Sequence, residues 1–171
     1  WAIAGNAGAH NSSAVKTDGT LWTWGYGPNG VNGDGTATDR SSPVQVGALT
    51  DWATPIGGTQ FMAALKTDGT LWTWGIGSDG RLGHGNTTTI SSPVQVGTLT
   101  NWSKAACGNN FMTAVKTDGT FWTWGSSYHG QLGHGNTTSL SSPTQVGALT
   151  TWGGVTNCMP VASSSVGLQH G

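Results

Sequence analysis

Two histidines, His84 and His134, stand 50 residues apart in the same local string, Leu-Gly-His-Gly-Asn-Thr-Thr, and Asp34 holds the matching place upstream. Imidazoles so placed make a metal site only when a third and fourth ligand converge on them, and the string supplies none. They read as loop residues bonded to nearby backbone. The segment 32–39, Asn-Gly-Asp-Gly-Thr-Ala-Thr-Asp, has the look of a calcium loop. It lacks that loop's alternating acidic ligands and closing glutamate, and reads as a turn. Acid–base chemistry has little to draw on, because the chain contains no Glu and only seven Asp, three of which (Asp18, Asp68, Asp118) precede glycine in turn signals. No Ser-His-Asp or Cys-His arrangement is evident, and no glycine loop opens a helix to cradle phosphate. Neither catalysis nor a cofactor is expected. Cys107 and Cys158 sit at nearly equivalent places and read as small core residues; two cysteines make neither a disulfide framework nor a zinc site. Asn11, Asn86, Asn101 and Asn136 each begin an Asn-x-Ser/Thr triplet, a short motif that chance produces readily in a chain this rich in Ser and Thr.

The ten tryptophans carry the remaining chemistry, stacking on sugar rings or packing a core. Six fall in Trp-Thr-Trp pairs and four, Trp1, Trp52, Trp102 and Trp152, stand at regular intervals. Residues that recur so regularly belong to the frame, and large aromatics dominate burial energetics. Core packing is therefore the expectation.

The elements that must position these residues follow from one observation. Lys-Thr-Asp-Gly-Thr-(Leu/Phe)-Trp-Thr-Trp-Gly begins at Lys16, Lys66 and Lys116. Self-similarity at this period marks a solenoid, a propeller or an array. With 29 Gly and no Glu, helices are disfavoured, while Trp, Val and Thr suit strands. In the third unit, strands are expected over 102–108, 111–116, 120–125 and 141–147, with Asp118-Gly119 as a two-residue hairpin turn. Alternation puts Trp122 and Trp124 on one face, Phe121 and Thr123 on the other. Pro143 belongs on an edge strand. Four short antiparallel strands per repeat describe a β-propeller blade. The fold class is all-β, one array of blades over 1–50, 51–101 and 102–151, with a partial fourth over 152–171.

The strings Gly130-Gln-Leu-Gly-His-Gly135, Gly80-Arg-Leu-Gly-His-Gly85 and, less closely, Gly30-Val-Asn-Gly-Asp-Gly35 each follow Trp-Gly. Each precedes a Pro strand at Pro143, Pro93 or Pro43. This resembles the RCC1 (regulator of chromosome condensation) repeat over nearly the whole chain. Kelch repeats are of similar length, but their recurring diglycine is missing. The resemblance implies a propeller that usually has seven blades, the last completed by both chain ends. Here 1–15 and 152–171 both read as the first two strands of a blade, so closure within the chain is not expected. Further blades or other chains would supply the missing edges. The chain begins at Trp1 without an initiator Met, and reads as processed or as part of a longer product. A plant photoreceptor related to this family senses light through clustered tryptophans, but its Gly-Trp-Arg-His-Thr motif is absent.

Charged residues make up 8% of the chain, at a formal net charge of -1. That balance offers no basic patch for nucleic acid, and no apolar run reaches the roughly 18 residues of a membrane helix. Partners are expected to be other protein chains, further blades or a glycan, with no membrane insertion. Specific contact would lie where the units differ. One set of variable loops follows each Trp-Gly: Tyr26-Gly-Pro-Asn29, Ile76-Gly-Ser-Asp79 and Ser126-Ser-Tyr-His129. A second set covers 7–13, 59–62 and 109–112. Tyr26, Asn29, Ile76, Asp79, Tyr128 and His129 are the candidate contact residues. The leading expectation is a non-catalytic structural or binding module in an extracellular or virion assembly, of the phage tail-fibre kind. Its rivals are an intracellular regulator (a small-GTPase exchange factor or chromatin binder) and a secreted inhibitor or glycan binder that uses Tyr26 and Tyr128.

Overall fold

The computed structural model describes residues 3–4 and 10–153, which form three four-stranded antiparallel sheets. The first contains β1 (Ile3–Ala4), β2 (Asn11–Val15), β3 (Leu21–Gly25) and β4 (Arg40–Gln45). The second contains β5 (Trp52–Gly57), β6 (Phe61–Lys66), β7 (Leu71–Gly75) and β8 (Ile90–Gln95). The third contains β9 (Trp102–Cys107), β10 (Phe111–Lys116), β11 (Phe121–Gly125) and β12 (Leu140–Gln145). Strands keep chain order in every sheet. These are the three expected blades. Pro43, Pro93 and Pro143 all fall on the outermost strand, where a missing N–H costs no ladder bond. Trp1, Cys158 and most of the expected fourth blade lie outside the described residues.

The hairpin between the second and third strands differs from the expected two-residue turn. Gly19 N donates to Lys16 O at 3.0 Å, which puts Thr17 and Asp18 at the centre of the turn, and Gly19 takes a φ of 79°. A turn followed by a left-handed glycine is the three-residue hairpin loop with a bulge. Asp18 is thereby freed to cap the turn: its Oδ1 accepts from Thr20 N at 3.0 Å and from Thr20 Oγ1 at 2.6 Å. Asp68 with Thr70 and Asp118 with Thr120 repeat this arrangement. In each unit the threonine oxygen also accepts the indole N–H of the first tryptophan of the pair, Trp22, Trp72 or Trp122.

The core lies between blades. One cluster joins Val15, Leu21, Val31 and Val46 of the first blade to Trp52, Met62, Ala64 and Trp74 of the second. The other joins Phe61, Leu71, Leu82 and Val96 to Trp102, Met112, Ala114 and Trp124 of the third, and includes buried Cys107. Every residue of β6 is buried, because a neighbouring blade covers each of its faces. The second tryptophan of the pair fills the joint: Trp74 and Trp124 are wholly buried. Trp74 Nε1 donates 2.9 Å to Val31 O, and Trp124 Nε1 3.1 Å to Arg81 O, each reaching into the preceding blade. The first tryptophan is only half-buried.

Candidate functional site

The two sets of variable loops meet at one end of each blade. Antiparallel pairing requires this, since the start of the second strand lies opposite the end of the third: Asn11 faces Gly25, Phe61 faces Gly75 and Phe111 faces Gly125. A backbone bond ties each junction, from Tyr26 N to His10 O at 3.0 Å, Ile76 N to Gln60 O at 2.9 Å and Ser126 N to Asn110 O at 2.9 Å. The junctions of the second and third blades are linked in turn. Thr59 Oγ1 donates 3.3 Å to Asn109 Oδ1, and Tyr128 Oη donates 2.8 Å to Asp79 Oδ1. The result is a variable rim, joined by side-chain bonds between the second and third blades, at the end opposite the invariant Asp-Gly hairpins.

Each candidate contact residue has its place on this rim. Tyr26 is exposed, edge-on to His10 at 6.0 Å between ring centres, and its carbonyl accepts from Asn11 Nδ2. Asn29 takes a φ of 62° at the loop tip. Ile76 is half-buried against the joint of blades two and three, so it supports the rim more than it presents it. Asp79, at φ 60°, holds the guanidinium of Arg81 at 3.1 Å on one oxygen and Tyr128 on the other. The bond to Asp79 raises the Tyr128 phenol above its ordinary range. Tyr128 remains 65% exposed, so its ring is held by the hydroxyl and its faces stay open. His129 is exposed, its backbone N–H bonded to Gln131 Oε1 at 2.9 Å. Tyr128, His129 and Gln131 line a hollow of about 400 Å³ together with Asn109, Asn110 and Phe111, residues from both variable sets.

The residues with other chemistry are engaged in structure. His84 Nε2 lies 2.9 Å from Thr73 Oγ1, and that hydroxyl donates to Leu82 O at 2.7 Å. With the threonine proton committed, Nε2 carries the imidazole proton. His134 repeats the arrangement with Thr123 and Leu132. Burial lowers the pKa of His84, and hydrogen bonding to the Thr73 backbone raises it in part. Asp34 accepts from Arg40 Nε at 2.7 Å and from Thr36 N at 3.0 Å. Burial opposes its charge, but the Thr36 and Arg40 bonds bring its pKa below the ordinary range. All seven aspartates have such a partner: Asp39 accepts from Gly27 N at 2.8 Å, and Asp51 lies 3.3 Å from Lys66 Nζ. Among the described residues no three His, Cys or Asp side chains cluster as metal ligands do.

One arrangement escapes a reading of the sequence. Lys66 is buried between the rings of Trp52 and Trp72, its Nζ 4.9 Å and 4.2 Å from their centres. Lys116 sits likewise between Trp102 and Trp122, at 5.1 Å and 3.5 Å. Ammonium groups over indole faces gain a cation–π attraction that strengthens with desolvation. The only signal in the sequence was that these lysines recur with the tryptophans. Asn101 stands where the second blade has Asp51, and burial lowers the pKa of Lys116, partly opposed by Asp118.

A model of the "Regulator of chromosome condensation (RCC1) repeat" matches residues 68–115 and 118–170. A second model of that description matches 102–131. Compared by sequence with curated proteins, the chain matches none. Among solved structures it is similar to Prp20p from Saccharomyces cerevisiae, described with its binding properties to Gsp1p and histones: 19% identity, TM-score 0.76, 87% of this chain and 39% of that one. It is also similar to human WBSCR16, at 23% identity and TM-score 0.72, over 81% of this chain and 36% of that one. Yeast RCC1 (Prp20) bound to Kap60 aligns at 21% identity and TM-score 0.74, over 85% and 37%. The chain thus spans about two fifths of the first of these. Three RCC1-like blades in register, and family matches over more than half the residues, establish that the chain belongs to the RCC1 repeat family.

Proposed function

We propose that this chain is a non-catalytic protein-binding module whose contact surface is the variable rim. The observation that carries this reading is the convergence of both variable sets on one end of the blades, with Tyr128 anchored by Asp79 and its ring exposed. An aromatic fixed at its polar tip offers contact area at little entropic cost. The non-catalytic reading is supported by the engagement of every aspartate in a turn or ion pair. Protein partners are supported by the solved relatives, of which yeast RCC1 was captured with Kap60. An extracellular or virion setting rests on the low charge and the Ser/Thr/Gly-rich loops alone.

Panning a phage-displayed peptide library against the intact chain tests the rim. Peptides recovered on the wild type should lose at least tenfold in affinity to the Tyr128→Ala, His129→Ala double variant. They should bind Thr17→Ala, at the opposite end, unchanged. Equal binding to both variants would place the contact elsewhere. The exchange-factor alternative has its own test, nucleotide release from Gsp1p in the presence of the chain; acceleration would favour it over the rim reading.

A further inference from the structure

The joint between the second and third blades holds a cleft of about 370 Å³. Its walls are apolar: Val96 and Leu99 come from the second blade, Trp122 and Pro143 from the third. Leu99 is exposed although it is a large aliphatic residue, and Trp122 is half-buried. The Trp122 ring is fixed in place, since its Nε1 donates 2.8 Å to Thr120 Oγ1 and Lys116 Nζ lies 3.5 Å from its centre. A wall already ordered spares a ligand that cost. The polar groups gather at one end. Gly85 N donates 2.8 Å to Ser141 O, and a Cβ on Gly85 would lie 3.5 Å from Ser142 Oγ, so the chain at His84 runs alongside Ser142. Both residues line the cleft. With Nε2 protonated toward Thr73, His84 keeps Nδ1 as an acceptor, and burial holds the ring uncharged at neutral pH. Ser142 is exposed, and its hydroxyl can donate. Trp102 lines the cleft as well, and its buried Nε1 has no partner among the described residues.

Sites of this kind hold a small ligand with apolar walls and orient it with a few polar groups. No Asp, Lys or Arg is among the residues that line the cleft, so it suits an uncharged group. Its order is an apolar body followed by one acceptor beside one donor. We propose that this cleft binds a phenol-type ring, either a free phenol or the tyrosine side chain of a partner protein. The ring would lie along Trp122 and Pro143, its hydroxyl donating to His84 Nδ1 and accepting from Ser142 Oγ. A phenol is apolar at one end and polar at the other, in the same order as the cleft. The matching positions of the first joint carry the same residues except one: Asp34 stands in place of His84, paired with Arg40. An ion pair where the hydroxyl would sit makes that joint a poor host. The cleft is built from the second and third blades alone and is separate from the rim.

Titration of the whole chain with p-cresol, the ring of the tyrosine side chain, tests it by calorimetry and by the nitrogen NMR signals of the His84 ring. A dissociation constant of about a millimolar is expected for a ligand of this size, with the His84 Nδ1 signal moving on binding. The methyl ether 4-methylanisole keeps the ring but cannot donate, and should bind about fivefold more weakly or worse. His84→Phe and Ser142→Ala should each weaken p-cresol by about the same factor. Ser142→Ala alters only an exposed hydroxyl, so it reports even if His84→Phe fails to fold. The tripeptide glycyl-tyrosyl-glycine separates the two sources: tighter binding than p-cresol marks a partner's tyrosine, and equal or weaker binding marks a free phenol. The proposal would be overturned by an unmoved His84 signal, by equal binding of p-cresol and its methyl ether, or by an affinity that survives both substitutions.

Discussion

At the scale of single residues, burial at His84 and hydrogen bonds at the aspartates make the fold sensitive to acid in two stages. His84 has its pKa lowered by burial, so the unfolded chain takes up a proton near the ordinary histidine value, about 6.5, while the folded chain does not. Stability tied to His84 is therefore present above that value and falls as pH drops through the window below it. Asp18, Asp68 and Asp118 are held below the ordinary range chiefly by their threonine bonds, and Asp34 by Thr36 and Arg40 against its burial. Their contribution is intact above the unfolded aspartate value, about 3.9, and is lost as pH falls through the lower folded values. Thermal melts across pH should show a shallow decline below neutrality and a steep one below about pH 4. His84→Gln should remove the shallow stage alone. A midpoint that is level from neutrality to strong acid would refute both assignments.

At the scale of the element, each hairpin is locked by one relay: indole N–H to threonine oxygen, threonine O–H to aspartate. Thr70 is buried and serves as acceptor for Trp72 at 2.8 Å and donor to Asp68 at 2.7 Å. Thr70→Val keeps the shape and removes both bonds, leaving an indole N–H short of a partner. The expected cost is about 1–2 kcal/mol in urea unfolding, with Thr70→Ser close to wild type. Equal stability of the valine and serine variants would show that the relay contributes nothing.

At the scale of the molecule, stability resides in the joints, because each blade buries its faces only on its neighbours. Array proteins of this kind behave as units coupled through nearest-neighbour interfaces. Trp74→Ala empties the first joint and deletes the bond to Val31, at an expected cost of about 3–5 kcal/mol. Calorimetry should then resolve the first blade as a separate, earlier transition. A single transition at the wild-type midpoint would mean that the joints do not carry the coupling.

The 50-residue period, the strand order and the edge prolines were legible in the sequence, because they depend on local pattern: alternation, turn chemistry and a residue that cannot donate. The rim was legible in part. The variable loops could be read as two separate sets, and antiparallel pairing then brought them together. Tyr128 meeting Asp79, 49 residues away and on another blade, was not legible, since nothing in local pattern sets how one blade is placed on the next. The two tryptophans of each pair look alike in sequence, yet Trp74 enters a joint while Trp72 lies beside Lys66. Short-range rules, readable along the chain, set the blades. How one blade is set on the next emerged only in three dimensions, because burial belongs to pairs of surfaces.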